Sequence, residues 1–181
     1  MALFIGSFNP PTLAHLTIAL SLKNDFNKII FIPVNSKYKK LIDFRHRVNM
    51  LRIYKRKYSF IDVDDIMLNY SYFDYRILDL LKEKYHDNII IVGSDLFKKI
   101  KFFDNYEYLL NNYLFYVILR DNDTCDIIND YLKYQDRIKL VNLKIDISST
   151  QARYMLENNG NLLEILDSDV ISYIKDNHLY F

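Results

Sequence analysis

Residues 6–16 bring together side chains and backbone groups that suit a bound phosphate. The apolar run 2–5 ends at Gly6, where a strand can turn closely, and two prolines then set the direction of the chain. Thr12 is a good N-cap for the helix that follows, and His15 shares its side of that helix by the three-residue spacing. A helix N-terminus attracts anions through its free N–H groups. The segment predicts a nucleotide-phosphate site; the alternative is a plain capping Thr and a surface His.

A basic loop follows the second apolar run of the chain. Lys37, Lys39 and Lys40 place three positive charges within four positions at the carboxyl end of a predicted strand. Such charges can neutralise a polyphosphate. In isolation the cluster is more typical of a solvated loop, but its place directly after a strand strengthens the functional interpretation.

Positive charge also begins the next predicted helix, at Arg45, His46 and Arg47. Cations at a helix N-terminus oppose the helix dipole, and an anionic partner would relieve that cost. The structural alternative is that Arg45 and His46 pair with Asp43 or Asp62. The sequence supports both explanations equally.

Two later segments also place polar residues at the start of a helix. Gly93 ends a hydrophobic strand and allows close backbone approach, while Asp95 could cap the helix or accept a hydrogen bond from a ribose hydroxyl or an adenine amine. Ser148 and Ser149 offer donors to an anion, and Arg153 follows on the same helix face. The second segment predicts another phosphate cradle, or else a simple N-cap with a solvent-facing Arg.

An aromatic cluster at Phe102, Phe103 and Tyr106 lies downstream of Asp95. Aromatic rings can stack on a flat heterocycle. Aromatic residues at helical spacing more often belong to a core, and without other signs of a base the core interpretation is favoured.

The composition predicts one α/β domain that binds its ligands locally. The 181 residues are 50% hydrophobic, which is enough for one core, so we expect a single domain over 1–181 with a helical C-terminal portion at about 148–181. A net charge of +1 gives no overall field that would attract nucleic acid or an anionic membrane. The one cysteine, Cys125, excludes an internal disulfide framework and is typical of a reducing compartment. The chain lacks a membrane-length apolar span and a secretory signal, so we expect a cytoplasmic protein.

Short β-branched runs alternate with longer stretches of helical periodicity, which is typical of a parallel sheet covered by helices. The predicted strands are 3–5, 28–33, 60–64, 88–93, 114–119 and 138–143. The predicted helices are 12–23, 43–56, 72–85, 106–112, 125–134, 149–158 and 169–176. The pattern predicts a Rossmann-like, doubly wound parallel sheet of about five or six strands with flanking helices and a small C-terminal helical part. Ligands bind beyond the carboxyl ends of such strands, where the polar segments fall.

The polar segments together resemble one enzyme family. The strings GSFNPPTLAH, PVNSKYKK with HRVNML, VGSDLF, ISSTQAR and VISYIKDNHLY resemble, in order and spacing, the nicotinate or nicotinamide mononucleotide adenylyltransferases. The first string carries the (T/H)-x-x-H motif of the nucleotidyltransferase superfamily, and the last favours this branch over the related phosphopantetheine adenylyltransferases. The resemblance covers essentially the whole chain. It implies transfer of AMP from ATP to a pyridine mononucleotide, with release of pyrophosphate and formation of NAD or deamido-NAD.

The resemblance also implies roles for particular residues. Those expected to act on the ATP phosphates in catalysis are Thr12, His15, Lys39, Lys40 and Arg153. Those expected to bind ATP are Gly6, Ser7, Phe8, His15, Gly93, Asp95, Ile147, Ser148, Ser149 and Arg153. Those expected to bind the pyridine nucleotide are Ser7, Phe8, Lys40, Tyr72, Phe103 and Arg120. Mg²⁺ is expected to arrive with ATP, without a dedicated set of protein ligands.

Three positions depart from the usual family pattern. Thr12 stands where most bacterial members have His, but Thr occurs in other branches and still donates a hydrogen bond. Phe103 stands where the family usually has a Trp that stacks on the pyridine ring, so stacking is expected to be retained but weaker. The segment 70–75 lacks the Thr of the Ser-Tyr-Thr segment through which bacterial members recognise the pyridine carboxylate. The acceptor's acid or amide therefore stays open, with a slight preference for nicotinate mononucleotide because the chain is compact.

Two other functional classes are compatible with the sequence. One is an adenylyltransferase for another phosphorylated acceptor, such as phosphopantetheine. The other is a non-catalytic regulator that binds a nucleotide on the same fold, which the two complete phosphate motifs disfavour. The oligomeric state is not predicted.

Overall fold

The computed structural model describes residues 1–36, 39–119, 127, 130–143 and 145–180. Within them, six parallel strands form one sheet. The strands are β1 Ala2–Gly6, β2 Ile29–Pro33, β3 Ile61–Val63, β4 Ile89–Gly93, β5 Leu114–Leu119 and β6 Ile138–Asn142. All of β2 and most of β1 are buried, as expected for central strands that helices cover on both faces.

The strand order β3-β2-β1-β4-β5-β6 places a topological switch point between β1 and β4. The chain winds outward from β1 in one direction and from β4 in the other, which opens a crevice at their carboxyl ends. Phe4 of β1 lies beside Ile91 of β4. Continuing this register by two residues sets Gly6 level with Gly93, so both glycines that end a strand lie at the crevice.

Helices cover both faces of the sheet. In the described part of the chain they are α1 Leu13–Ser21, α2 Phe44–Lys57, α3 Tyr75–Tyr85, α4 Ser94–Phe97, α5 Tyr106–Asn112, α6 Ser149–Glu157 and α7 Ser168–Asp176. Shorter 3₁₀ turns lie at Ile66–Asn69, Ile100–Phe102 and Leu132–Arg137. None of the described helices has the length and apolar character that crossing a bilayer requires.

Two hydrophobic cores result, one on each face. Helices α1, α2, α6 and α7 pack on the face that receives Phe4, and α3, α4 and α5 pack on the face that receives Leu3 and Ile5. Neighbouring strand residues point to opposite faces, so the apolar strand β1 supplies both cores.

The structure confirms the predicted fold class, and each predicted strand matches an observed one to within one residue at either end. Helix α3 begins at Tyr75 instead of the predicted 72, because Asp74 accepts a hydrogen bond from the Arg76 N–H at 2.9 Å and caps the helix. The helix predicted at 125–134 is wrong at its end, where Leu132–Arg137 is a 3₁₀ turn, and Cys125 lies outside the described residues. Single-domain organisation and cytoplasmic location stay predictions.

Candidate functional site

The turn after β1 is shaped by an aromatic ring. Phe8 has a left-handed φ of 47° and is 1% exposed, and its ring packs 5.4 Å from the Phe4 ring and 5.0 Å from the His15 ring, centroid to centroid. A Cβ at Gly6 would lie 2.9 Å from Cζ of Phe8. The room above Gly6 is thus filled by the protein itself. Phe8 therefore shapes the turn from inside the core.

Thr12 and His15 form a hydrogen-bonded pair at the N-terminus of α1. The Thr12 N–H donates to Nδ1 of His15 at 3.0 Å, and the Thr12 Oγ1 lies 2.9 Å from the same nitrogen. A backbone N–H is always a donor, so Nδ1 must be the acceptor and a neutral ring carries its proton on Nε2. This assigned tautomer gives the half-buried His15 an N–H donor on the far side of the ring from Thr12.

The C-terminal phosphate segment docks directly on the opening turn. Ser149, the first residue of α6, donates its hydroxyl to the carbonyl of Pro10 at 2.8 Å. Arg153, one turn later, donates to the carbonyl of Asn9 at 2.8 Å and to the Thr150 hydroxyl at 3.1 Å. The structure therefore brings together the two segments that the sequence predicted as phosphate cradles, although they are more than 130 residues apart.

Ser148 is the N-cap of α6. Its hydroxyl oxygen accepts from the Gln151 N–H at 3.1 Å, as the simple capping interpretation predicted. A hydroxyl that accepts in this way keeps its hydrogen for donation, so capping and binding of an anion are compatible. Ile147 lies just before the cap and is half-buried against the first core.

Asn9 connects the opening turn to two distant segments. Its side-chain Oδ1 accepts from the Ile42 N–H at 3.3 Å and from the Tyr180 hydroxyl at 2.9 Å. Asn9 is 3% exposed. Asn9 and Tyr180 were not predicted as site residues, because no local sequence pattern indicates a contact between residues 171 positions apart.

Arg47 is a buried cation beneath the site. It is 1% exposed and donates to the carbonyls of Ser7 at 2.8 Å and Val34 at 2.9 Å, and to Oδ1 of Asn35 at 2.6 Å. Burial lowers the pKa of its guanidinium, although the neighbouring Tyr180 and Asp43 oppose that shift. Arg47 therefore ties the turn after β1 to the turn after β2 through backbone carbonyls.

Arg45 and His46 do not form the ion pairs with Asp62 that the structural alternative suggested. His46 Nδ1 lies 2.9 Å from the Tyr173 hydroxyl of α7. Asp62 forms ion pairs with Lys28 and Lys55, and Asp43 accepts from the backbone N–H of Arg45 at 2.7 Å. The partners of Asp62 are thus lysines and not Arg45 or His46, and Asp43 acts as the N-cap of α2.

Gly93 faces open space at the carboxyl end of β4. A Cβ there would meet no atom of the described residues within 4 Å, its chain neighbours aside. Ser94 is buried and Asp95 is exposed in the first turn of α4. The room beside Gly93 lies at the β1–β4 crevice and is accessible to a ligand, unlike the room above Gly6.

The remaining predicted residues are exposed or partly exposed, or lie outside the described residues. Lys39, Lys40 and Tyr72 are exposed, and Phe103 packs against the second core with part of its surface open. Arg120 and Lys37 fall outside the described residues. An open cleft of about 570 Å³ lies beside the carboxyl end of β2, with Asn35, Arg45 and Tyr70 among its lining residues.

Comparison with known proteins identifies relatives over the whole chain. Residues 3–155 match the model of the cytidylyltransferase-like family. The probable nicotinate-nucleotide adenylyltransferase of Acholeplasma laidlawii is 32% identical over 182 residues, which cover 97% of this chain and 94% of the relative. The probable nicotinate-nucleotide adenylyltransferase of Flavobacterium johnsoniae is 31% identical and is matched over 99% of this chain and 98% of its own length.

Two solved structures are also similar to this chain over almost its whole length. The Plasmodium falciparum nicotinic acid mononucleotide adenylyltransferase complexed with NaAD superposes with a TM-score of 0.84 at 26% identity, over 99% of this chain and 96% of that chain. The same enzyme complexed with APC gives a TM-score of 0.81.

Proposed function

The chain belongs to the cytidylyltransferase-like family and, within it, to the nicotinate-nucleotide adenylyltransferases, and on this premise we propose that it transfers AMP from ATP to nicotinate mononucleotide. The products are pyrophosphate and deamido-NAD. One observation carries the proposal: the Thr12–His15 pair begins α1 at the β1–β4 crevice, and Arg153 of α6 is hydrogen bonded to the same turn. These groups are hydrogen-bond donors or cations, which suits a triphosphate.

The reaction needs no protein nucleophile. A phosphate oxygen of the mononucleotide attacks the α-phosphorus of ATP, a new P–O bond forms, and the bond to the α–β bridging oxygen breaks in line with it. The electron pair of that bond leaves with pyrophosphate. Catalysis then depends on holding the two phosphates in line and on stabilising charge at the α-phosphate and the leaving group.

In this proposal His15 acts on the phosphates and Thr12 positions its ring. The Nε2–H of His15 donates to an oxygen of the α-phosphate or of the leaving group, while Thr12 holds the other ring nitrogen and fixes the tautomer. Arg153 and one of the exposed lysines, Lys39 or Lys40, neutralise the remaining charge. At the same helix start, Ser148 donates its hydroxyl to a phosphate oxygen and Ser149 its backbone N–H, because the Ser149 hydroxyl is donated to Pro10.

The two ends of the substrates occupy different strand ends in the proposal. The adenosine lies against Gly93, where a side chain would intrude, with Asp95 accepting from a ribose hydroxyl or the adenine amine. The pyridine nucleotide lies near Tyr72 and Phe103, and Arg120 contributes from outside the described residues. Phe103 stacks on the pyridine ring with less area than a Trp would offer.

Mg²⁺ enters as part of the substrate MgATP. In the described residues no three His, Cys, Asp or Glu side chains gather closely enough to hold a metal ion, and the predicted phosphate contacts are donors. Mg²⁺ keeps several waters and binds readily through phosphates, so this donor set fits an ion carried by the nucleotide. Bound there, the ion would neutralise charge on the triphosphate.

A pyrophosphate-release assay across three acceptors tests the proposal. Turnover with ATP is expected to be fastest with nicotinate mononucleotide, slower with nicotinamide mononucleotide, and absent with phosphopantetheine. Faster turnover with phosphopantetheine would identify the enzyme as a different adenylyltransferase. ATP binding without turnover on any of the three would favour a non-catalytic regulator.

A further inference from the structure

The amide of Asn9 is held by two donors from opposite ends of the chain. Its Oδ1 has two acceptor positions, and the donors are the Ile42 N–H at 3.3 Å and the Tyr180 hydroxyl at 2.9 Å. The Tyr180 bond is the shorter of the two. The carbonyl of the same residue accepts from Arg153. Asn9 therefore joins the opening turn, the chain just after the lysine loop, α6 and the C-terminal tail.

The C-terminal tail turns back towards the site through a defined helix end. After α7, the Leu179 N–H donates to the Ile174 carbonyl at 3.0 Å and the His178 N–H donates to the Lys175 carbonyl at 3.1 Å. This pattern is a Schellman motif, with His178 in the left-handed region at φ 48°. Tyr180 is also left-handed, at φ 67°, and its side chain then reaches Asn9.

The Tyr180 hydroxyl keeps its proton in this setting. Burial raises the pKa of Tyr180 well above its usual range, although the positive charges of Arg153 and Arg47 oppose the shift. At neutral pH the hydroxyl is therefore a donor, which is the role that the Asn9 oxygen requires.

We propose that Tyr180 is a positioning residue for adenylyl transfer, whose hydroxyl fixes the Asn9 amide and so holds the chain after the lysine loop against the Thr12–His15 turn. The inference rests on the proposed function and adds the tail to its machinery. When the hydroxyl is removed, the longer bond from Ile42 remains to orient the amide, and the two phosphate-binding segments are less well fixed relative to each other. Small misplacements of reacting groups can cost about a hundredfold in rate.

The first test compares two tyrosines of the C-terminal segment. Tyr180→Phe removes one hydroxyl and keeps the ring, and kcat is expected to fall roughly tenfold to a hundredfold with a smaller change in KM for ATP. Tyr173→Phe is the matched control, because its hydroxyl meets His46 and Asn49 of α2 and not the turn. Both variants are compared with the parent in kcat, KM and Tm. Unchanged kcat in Tyr180→Phe, or an equal loss in both variants alongside an equal fall in Tm, would overturn the proposal.

A double-mutant cycle asks whether Tyr180 acts through Asn9. In an Asn9→Ala background, Tyr180→Phe is expected to cause little further loss of kcat, because their shared hydrogen bond is already absent. Asn9→Asp keeps an acceptor oxygen and is expected to retain more activity than Asn9→Ala. Independent, multiplicative losses from Tyr180→Phe and Asn9→Ala would contradict the coupling.

Amide hydrogen exchange tests the contact without any need for turnover. The Ile42 amide is expected to exchange at least severalfold faster in Tyr180→Phe than in the parent, and to be unchanged in Tyr173→Phe. If the parent turns over no acceptor, the proposed function fails while this measurement still decides whether the tail holds the turn. Equal exchange at Ile42 in all three proteins would overturn the positioning role.

Discussion

His15 carries its ring donor on the side away from Thr12. Nδ1 accepts from the Thr12 N–H, so the proton of the neutral ring is on Nε2. Thr12 is 0% exposed, which leaves the imidazole as the outer member of the pair. The pair thus works as one unit, in which the inner residue sets the tautomer of the outer one.

Replacing His15 by Gln or by Asn separates its two roles, as a donor through Nε2 and as an acceptor from the Thr12 N–H through Nδ1. Gln at position 15 can place an N–H near the Nε2 position, whereas Asn can replace only the acceptor near Nδ1. We expect His15→Ala to lower kcat about 10²–10³-fold, His15→Gln to retain more activity than His15→Asn, and Asn to preserve Tm better than Ala. Steady-state kinetics and thermal unfolding measure these effects. Activity of His15→Ala within roughly tenfold of the parent would contradict the electrostatic role.

The two strand-ending glycines should respond in opposite ways to one added methyl group. At Gly6 the Cβ would lie 2.9 Å from the Phe8 ring, so Gly6→Ala is expected to lower the free energy of unfolding by about 1–3 kcal/mol. Gly93 has φ −73° and open space, so Gly93→Ala should leave stability unchanged or raise it by about 0.4–1 kcal/mol. If adenosine lies there, KM for ATP rises roughly tenfold, because overpacking of that size costs about 1–3 kcal/mol.

Urea unfolding and ATP-dependent kinetics of both glycine variants provide the measurement. A normal KM for ATP in Gly93→Ala would remove the adenosine from that strand end. Loss of stability in Gly93→Ala would instead mean that the space beside it is needed by the protein, as it is at Gly6.

At the residue scale, what could be predicted from the sequence was local. The three-residue spacing predicted that Thr12 and His15 share one side of α1, where they form a hydrogen bond, and Ser148 was predicted as a possible cap. Asn9, Arg47 and Tyr180 were missed as site residues, because their partners lie 12 to 171 positions away and depend on the assembled fold. A polar side chain in a local motif can be recognised from its neighbours in the sequence. A buried arginine in an amphipathic helix cannot, because the surrounding sequence looks the same as around an exposed one.

At the scale of elements, the helix ends determine where the chain goes next. Helix α6 and helix α7 both end with a left-handed residue, Asn159 at φ 53° and His178 at φ 48°. In each case a 6→1 backbone bond closes the end, from Gly160 to Met155 and from Leu179 to Ile174. The second of these turns delivers Tyr180 to the site.

Glycine should stabilise the end of α7. A non-glycine residue pays a steric cost in the left-handed region, so His178→Gly is expected to raise the free energy of unfolding by about 0.5–1 kcal/mol. Asn159→Gly should gain less, because Asn tolerates this region better. Lys175→Gly, inside the last turn of α7, is the control and should cost roughly 0.5–1 kcal/mol. Chemical denaturation measures all three, and destabilisation by His178→Gly would contradict the conformational argument.

Strands were easier to predict than helix ends. In an α/β chain the short apolar β-branched runs indicate buried strands, and both ends of each strand were predicted to within one residue. The start of α3 was predicted three residues early, since Asp74 and not an earlier residue provides the cap. A helix start near Asp95 was predicted, but without a range, because the four residues of α4 are too few to show a helical period.

On the scale of the whole molecule, the site is assembled from both ends of the chain at the switch point of the sheet. The segment after α6 closes on the first helix: the Leu13 N–H donates to the Ile165 carbonyl at 2.8 Å, and Lys57 of α2 pairs with Asp167 and Asp169. Residues Ile165 to Ile174 also complete the first core. The same C-terminal segment therefore stabilises the fold and brings Tyr180 to Asn9.

Because the proposed ATP site joins the two halves of the sheet, binding should stabilise the whole fold. At ATP concentrations about 100 times Kd, linkage adds about 2.7 kcal/mol to the free energy of unfolding, which for a chain of this size raises Tm by roughly 5–10 °C. Thermal unfolding with ATP, with inorganic tripolyphosphate and with neither measures the effect. Tripolyphosphate should give a smaller shift, since it can meet the Thr12–His15 turn but leaves the space at Gly93 empty. Equal shifts from both ligands, or an undiminished ATP shift in Gly93→Ala, would mean that the adenosine contributes nothing at β4 and that the site is a phosphate cradle on one half of the sheet.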